Sequence, residues 1–468
     1  SRVRSVLDDS KLGQARIGVV ILDGATGEVL ASARGDESFI PASNMKLLTS
    51  GAALAVLGKD FKFETSLVYD EAAPGGRVVL RGGGDPALGD PKLLQQSKTS
   101  VEWVLTTWVD AMKSAGVPAG AELVIDDRVF DRQYVHPSWP AEQLNRWYCA
   151  EVSGLNFHTN LISIFAEPRE AGRPPSVKTE PISPWIEIRN RAKSVKQGNH
   201  TAWAARDGDR GIMLYGDVRF SNDPVDVSLT DVPSYMARLL GDRMASAGMR
   251  PSRVRVAEEN ENLDSGRVLH TFSTDIATAL RRCNVDSYNL YAECFIKRLG
   301  HEVTHAPGSW TNGSAVMRMV LQEHLGIDAG RAFTVADGSG MSRNNRVTPR
   351  MLALWLKAMA DDERTGDAFL ASLAQAGEEG TLRRRFRGQP LVNDVRAKTG
   401  YLSGVSAISG YVTESKSGRR LIFSIITNDK PNRVQLTAIR EAEEKIIRIV
   451  DGWVSSRGAV APGAAGVR

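Results

Sequence analysis

The sequence is poor in cysteine, nearly balanced in charge and without a long apolar run. Only three of its 468 residues are cysteine: Cys149, Cys283 and Cys294. An odd number in so long a chain excludes a disulfide framework, and no two form a Cys-x-x-Cys pair, so all three read as buried free thiols. The net charge is +4, from 59 Lys and Arg against 55 Asp and Glu, which gives no support for nucleic acid as a partner. No apolar stretch reaches about 18 residues, so a spanning helix is not expected. The pattern Gly-x-Ser-x-Gly is missing, which counts against an α/β-hydrolase. Ser1-Arg2-Val3-Arg4 shows neither a starting Met nor an apolar signal core, the look of a cleaved or trimmed chain, which is compatible with an original export signal.

What is present is a globular composition. Hydrophobic residues make up 42% and charged residues 24%, which argues for a packed core rather than disorder. At about 150 residues per domain, the length predicts three domains or one large domain with an insertion. The pattern runs strand 16–23, turn 24–27, strand 29–33, then a helix opening at Ile40-Pro41-Ala42-Ser43 and stopping at Gly58. From 63 to 264 the texture becomes β-like with Gly and Pro turns, and 155–220 is its most strand-like part. Helices intrude there at 101–115 and 233–247. Helices return at 274–282, 286–299, 309–325 and 349–359, followed by strands near 405–412 and 421–426 and an amphipathic helix at 435–454. The Gly/Ala/Pro-rich tail 455–468 is expected to be flexible.

Three polar clusters carry chemistry. In Ser43-Asn44-Met45-Lys46, positions i and i+3 share a helix face, so hydroxyl and amine lie one turn apart. A serine needs a neighbour to take its proton, and a lysine buried among apolar residues can lose enough basicity to do so. Ser287-Tyr288-Asn289 is expected in the first turn of a helix capped by Asp286. Lys398-Thr399-Gly400 is expected on a strand, with Gly400 allowing close approach of a ligand backbone. Each cluster alone reads as an ordinary cap or strand end.

Together, and in this order, Ser-x-x-Lys, Ser-x-Asn and Lys-Thr-Gly are the motif set of the penicillin-recognising serine enzymes. The blocks Pro41-Ala42-Ser43-Asn44-Met45-Lys46, Gly82-Gly83-Gly84-Asp85-Pro86, Val285 to Glu293, Asp337-Gly338-Ser339-Gly340-Met341-Ser342-Arg343 and Ala397-Lys398-Thr399-Gly400 extend the likeness. With its long gap between the first two motifs, the chain resembles the class C low-molecular-mass penicillin-binding proteins, the D-Ala-D-Ala carboxypeptidase/endopeptidases. The resemblance implies an α/β (α+β) transpeptidase fold of the β-lactamase/penicillin-binding-protein kind, interrupted by a β-rich insertion. The domains expected are a catalytic one from 1–62 and 265–454 and an insertion at 63–264, in one or two subdomains, the inner about 155–220. Because Ser43 and Ser287 must meet, the insertion has to leave and re-enter at neighbouring points.

The resemblance also implies the chemistry. The substrates are peptidoglycan stem peptides ending in D-Ala-D-Ala, or their cross-links, with β-lactams as covalent inhibitors. Ser43 is the nucleophile and Lys46 the expected base. The backbone N–H groups of Ser43 and Tyr401 form the oxyanion hole. Ser287 bridges Lys46 and Lys398 and serves the leaving amine, and Asn289 binds the acyl-side amide. Lys398 and Thr399 hold the leaving-group carboxylate, and Gly400 also belongs to the substrate-binding residues. Tyr401 stands where the family often has Thr or Ser, so only its backbone is assigned a role. Arg343 is a candidate for a substrate side-chain carboxylate. No cofactor or metal is expected, protein partners are unknown, and location is extracytoplasmic because the cell wall is. A catalytically silent wall-peptide-binding protein is the alternative from another class, and the long insertion disfavours a β-lactamase.

Two further signals are set aside. His301-Glu302-Val303-Thr304-His305 matches His-Glu-x-x-His, but Gly300 reads as a helix C-cap and Pro307-Gly308 follow, so an exposed loop is expected. Gly82-Gly83-Gly84-Asp85-Pro86 lacks the Gly-Lys-Ser/Thr ending of a phosphate loop and reads as a turn.

Overall fold

Strands buried along almost their whole length organise the catalytic part. Arg16–Asp23, Val405–Thr413 and Arg420–Asn428 are covered on both faces, which requires packed layers above and below. In the computed structural model, which describes residues 2–208, 211–221, 223–326 and 333–456, Arg16–Asp23 pairs antiparallel with Arg420–Asn428 from Arg16↔Asn428 to Asp23↔Leu421. The full sheet has six strands in the order Ala374–Gln375, Asp394–Leu402, Val405–Thr413, Arg420–Asn428, Arg16–Asp23, Val29–Ala33. Successive side chains alternate between faces. Ile17, Val19 and Ile21 join Phe423 and Ile425 against Ile439, Ile446, Ile447, Val450 and Val454 of the helix Leu436–Ser456. The alternate residues Val20 and Leu22 point the other way, toward the layer of the helix Pro349–Asp361.

That second layer holds the helix Met45–Leu57, buried continuously from Met45 to Leu54 and ended by Gly58. A helix enclosed on every side has no solvated face on which a lysine could snorkel. Trp355 fixes its seat: fully buried, it donates its indole N–H to the Leu47 carbonyl at 2.9 Å.

The chain forms two units. One comprises Ser1–Phe61, Ile276–His305 and Trp310–Arg468, the other Lys62–Asp275 and Ala306–Ser309. The chain leaves the first unit and returns at adjoining residues, with Ile276 N–H donating to Phe61 C=O at 3.0 Å. The insertion is longer than the expected 63–264. Arg267–Asp275 pairs with Lys62–Asp70, closing a five-stranded sheet with Arg77–Gly82, Glu122–Asp126 and Val254–Val256. The cause is that no residue of this strand is buried, so it lacks the apolar pattern that marks a core strand in the sequence. Small sheets fill 161–228. Their residues Ile162, Ile164, Ile212 and Leu214 share one apolar cluster with Leu67, Leu80 and Leu123 of the five-stranded sheet and Trp108 of the helix Val101–Ser114.

Two local expectations change. The helix expected at 286–299 spans Asn289–Thr304, so His301 to Thr304 lie in its last turn and only His305, at φ +56°, caps it. Gly300 is inside the helix. A Cβ there would lie 1.9 Å from Asn312 Oδ1 and 2.8 Å from the Gly313 nitrogen, so this glycine admits the helix Trp310–Leu325 at close range and does not end its own. The last helix reaches Ser456; the rest of the flexible tail expected at 455–468 lies outside the described residues.

Trp355→Ala should destabilise this unit by about 3–5 kcal/mol, through the cavity it leaves and the loss of its bond to Leu47. The check is a lower urea midpoint in equilibrium unfolding.

Candidate active site

Ser43 sits in a single 3-10 turn, Ala42–Asn44, that runs directly into the helix Met45–Leu57. One turn on, Lys46 is completely buried and places Nζ 3.0 Å from Ser43 Oγ. Its other contacts are Asn289 Oδ1 at 2.6 Å and the Ser339 carbonyl at 2.9 Å. Both are acceptors only. They therefore claim two N–H groups and direct the third tetrahedral position at Ser43. When the amine is charged, that position is an N–H donated to Oγ. When it is neutral, the position is a lone pair that can accept the hydroxyl proton.

Burial pushes Lys46 down to about 8, against the opposing pull of the carboxylates Glu293 and Asp337. Lys398, equally buried, is pushed well below the ordinary lysine range by burial and then by Lys46. Two enclosed cations repel, so the site favours holding one proton fewer than two ammonium groups would. The thiol of Cys283 is pushed up to about 12 by burial, which keeps it neutral beside both lysines.

Ser287 lies before the helix Asn289–Thr304 rather than in its first turn, at φ +61°. That conformation costs a non-glycine residue about 1–3 kcal/mol and is found where surrounding structure imposes it. Lys398 Nζ donates to Ser287 Oγ at 2.7 Å and to the Thr399 carbonyl at 2.7 Å. The expected Lys46–Ser287–Lys398 bridge is replaced by two pairs: Lys46 takes Asn289, and Lys398 takes Ser287. The reason is helical phase, since Asn289 begins the helix and points into the lysine while Ser287 precedes it.

The strand Asp394–Leu402 brings Lys398, Thr399, Gly400 and Tyr401 alongside the nucleophile turn. A Cβ on Gly400 would lie 2.9 Å from both the Ser43 nitrogen and the Pro41 carbonyl, so glycine lets the strand approach the Ser43 backbone. Tyr401, which follows Gly400 on this strand, is 54% exposed. Thr399 Oγ1 donates to Thr381 Oγ1 at 2.8 Å. Arg343 is exposed and donates to the Ser403 carbonyl at 2.6 Å, just past the same strand.

Several supporting residues had no role readable in the sequence. Asn44, inside the first motif, donates to the Lys398 carbonyl at 2.8 Å and accepts from Ser409 Oγ at 2.8 Å, tying nucleophile turn to strand. Asp337 accepts from Gly340 N–H at 2.9 Å, Ser342 N–H at 2.6 Å and Asn345 Nδ2 at 2.7 Å. That closes the turn whose Ser339 carbonyl holds Lys46. The signal available was a polar cluster, Asp-Gly-Ser-Gly, of the type that forms such turns.

The family model for the D-Ala-D-Ala carboxypeptidase 3 (S13) family matches residues 1–449. A D-alanyl-D-alanine carboxypeptidase from Actinomadura sp. is 32% identical, over 98% of this chain and 87% of that protein. The crystal structure of penicillin-binding protein 4 from Haemophilus influenzae matches with a TM-score of 0.77 at 20% identity, over 96% of this chain and 99% of that one. The same protein in complex with a β-lactam matches at 0.73 and 19% identity, over 96% and 99%. The two crystal structures share the fold described above, and on the family match the chain belongs to the D-Ala-D-Ala carboxypeptidase 3 (S13) family of serine-type peptidases.

Proposed function

We propose that Ser43 and Lys46 form the acyl-transfer couple, with Ser287, Asn289, Lys398, Thr399 and the Tyr401 backbone completing the site. The observation that carries this reading is the aim of the Lys46 amine at Ser43 Oγ, with its other two positions occupied by acceptors that cannot give it a proton.

The substrate is a stem peptide ending in D-Ala-D-Ala. Its terminal carboxylate docks at Thr399 and Lys398. That negative charge favours the shared proton residing on Lys398 and leaves Lys46 neutral, so binding prepares the base. Lys46 accepts the Ser43 proton as Oγ attacks the carbonyl of the penultimate residue. The N–H groups of Ser43 and Tyr401 stabilise the oxyanion, each donor contributing about 3 kcal/mol in the transition state. Ser287, accepting from Lys398, has its own hydroxyl proton to give to the leaving nitrogen as that C–N bond breaks, and Lys398 restores it. Asn289 orients the acyl-side amide. Water then cleaves the ester. A β-lactam follows the same path, but its leaving nitrogen stays tethered and the ester persists. The same residues act on a D-Ala terminus and on a cross-link, in the cell wall outside the cytoplasm.

Penicillin should label the protein one-to-one, read as a mass increase on the intact chain, and Ser43→Ala should not label at all. Label persisting on the alanine variant removes Ser43 as nucleophile.

The second-order rate constant of acylation at sub-saturating ligand, which reports the free enzyme, should rise with pH from about pH 6 to about pH 9. Lys46 is pushed down to about 8, and only its neutral form accepts a proton, so activity appears as pH climbs through that value. Single-turnover acylation across this range is the measurement, and a profile that is flat or falls there excludes Lys46 as the base.

Arg343→Ala should weaken turnover of peptides bearing a free side-chain carboxylate about 10-fold more than of peptides without one. Ratios of kcat/KM for the two peptide classes are compared, and equal losses remove Arg343 from recognition.

A further inference from the structure

Glu293 is a fully buried carboxylate one helical turn beyond Asn289 on the helix Asn289–Thr304. Positions i and i+4 share a face, so both side chains point toward the same region. Asn289 reaches Lys46 directly. Glu293 reaches it through one intervening peptide: Oε1 accepts from Ser339 N–H at 2.8 Å, and the carbonyl of the same Ser339 accepts from Lys46 Nζ at 2.9 Å. Oε2 accepts from Gly338 N–H at 2.9 Å and from the Trp310 indole at 2.7 Å. Three donors and no acceptor surround it in these contacts, the environment of an ionised carboxylate.

Asp337 fastens the turn to itself, through Gly340, Ser342 and Asn345. Glu293 does something different: it fastens the turn to the helix that carries Asn289. Both acceptors that orient the Lys46 amine are thereby referred to one rigid element. A buried carboxylate pays a desolvation cost that an apolar residue of similar volume would avoid, and here Asp337 adds like-charge repulsion, so both push Glu293 up. Filling space does not account for a charge in that position. Holding two peptide N–H groups does.

We propose that Glu293 is a positioning residue of the acylation step: by gripping the Gly338 and Ser339 N–H groups it sets the Ser339 carbonyl and so the direction in which Lys46 faces Ser43. The inference rests on the reading of Ser43 and Lys46 as the acyl-transfer couple. Glu293 acts through Lys46 and does not touch the reacting atoms. It also lends Lys46 negative charge from within the pocket. The other titratable groups around the pair are Asp337 on the turn, Cys283 on the preceding helix Ile276–Asn284 and Lys398 on the strand. Lys297, buried one turn further along the Glu293 helix, lies over the Trp310 ring at 4.1 Å.

The test is penicillin acylation of the full chain across pH for wild type, Glu293→Gln and Glu293→Asp. Glutamine presents an NH2 where an N–H donor stands and removes the charge. Glu293→Gln should still label one-to-one at completion, with a rate constant about 10- to 100-fold lower, the scale of a small misplacement of a reacting group. Its rising limb should move to lower pH, because Lys46 loses its proton sooner without that negative charge. On D-Ala-D-Ala peptides kcat should fall while KM stays within about two-fold. Glu293→Asp should keep the limb at the wild-type position. A wild-type rate and limb in Glu293→Gln, or a loss of rate with the limb unmoved, overturns the proposal. Should Glu293→Gln not fold, Trp310→Phe carries the test: it deletes one donor, keeps the charge, and should slow acylation with the limb in place, whereas an unchanged rate overturns the proposal. Failure of the wild type to label on Ser43 would instead remove the acyl-transfer reading beneath it.

Discussion

The aim of the Lys46 amine at Ser43 is the constraint on which the rest of this site depends. A lysine is long and flexible, and in water its ammonium would have no fixed direction. Here the amine is enclosed, and acceptors from separate segments fix two of its three positions. Enclosure and direction come from the same packing. The six-stranded sheet and the layer containing Trp355 bury the nucleophile helix, and the helix and turn that complete the enclosure also provide Asn289 and the Ser339 carbonyl.

Charge is managed by the same means. A second buried lysine, Lys398, sits near enough to Lys46 to be depressed by it electrostatically. Carboxylates at Glu293 and Asp337 partly offset this on the Lys46 side, and Asp286 does so on the Lys398 side. The result is a pocket in which burial and the nearness of two amines disfavour both being charged at once. Such tuning needs burial: the same charges on a solvated surface would interact through high dielectric and be screened.

The insertion obeys a separate logic. It has its own sheet and its own apolar cluster, and it springs from residues that are already hydrogen-bonded neighbours, Phe61 and Ile276. Leaving and returning at one place keeps the six-stranded sheet and the helix Met45–Leu57 within a single unit. Its length was readable only roughly, because Arg267–Asp275 is a strand by virtue of pairing with Lys62–Asp70 rather than by its own apolar pattern. The helix continuing through Gly300 is a similar case: local propensity disfavours glycine there, and close contact with the helix Trp310–Leu325 overrides it.

The sequence by itself singled out the candidate reactive groups. Ser43 and Lys46 are within a turn of each other by helical geometry, and the three motifs in order, with the gap between the first two, identify the chemistry and require an insertion that returns to its origin. Apolar periodicity likewise placed most helices and the central strands. Only the tertiary structure decided which group touches which lysine. Asn289 rather than Ser287 reaches Lys46, because the helix begins two residues later than its capping pattern suggests. The Ser339 carbonyl, the Asn44 side chain and the Glu293 carboxylate entered the site for a common physical reason. A backbone carbonyl carries no residue-specific mark, and a buried polar side chain reveals its partner only when distant segments have been packed against it.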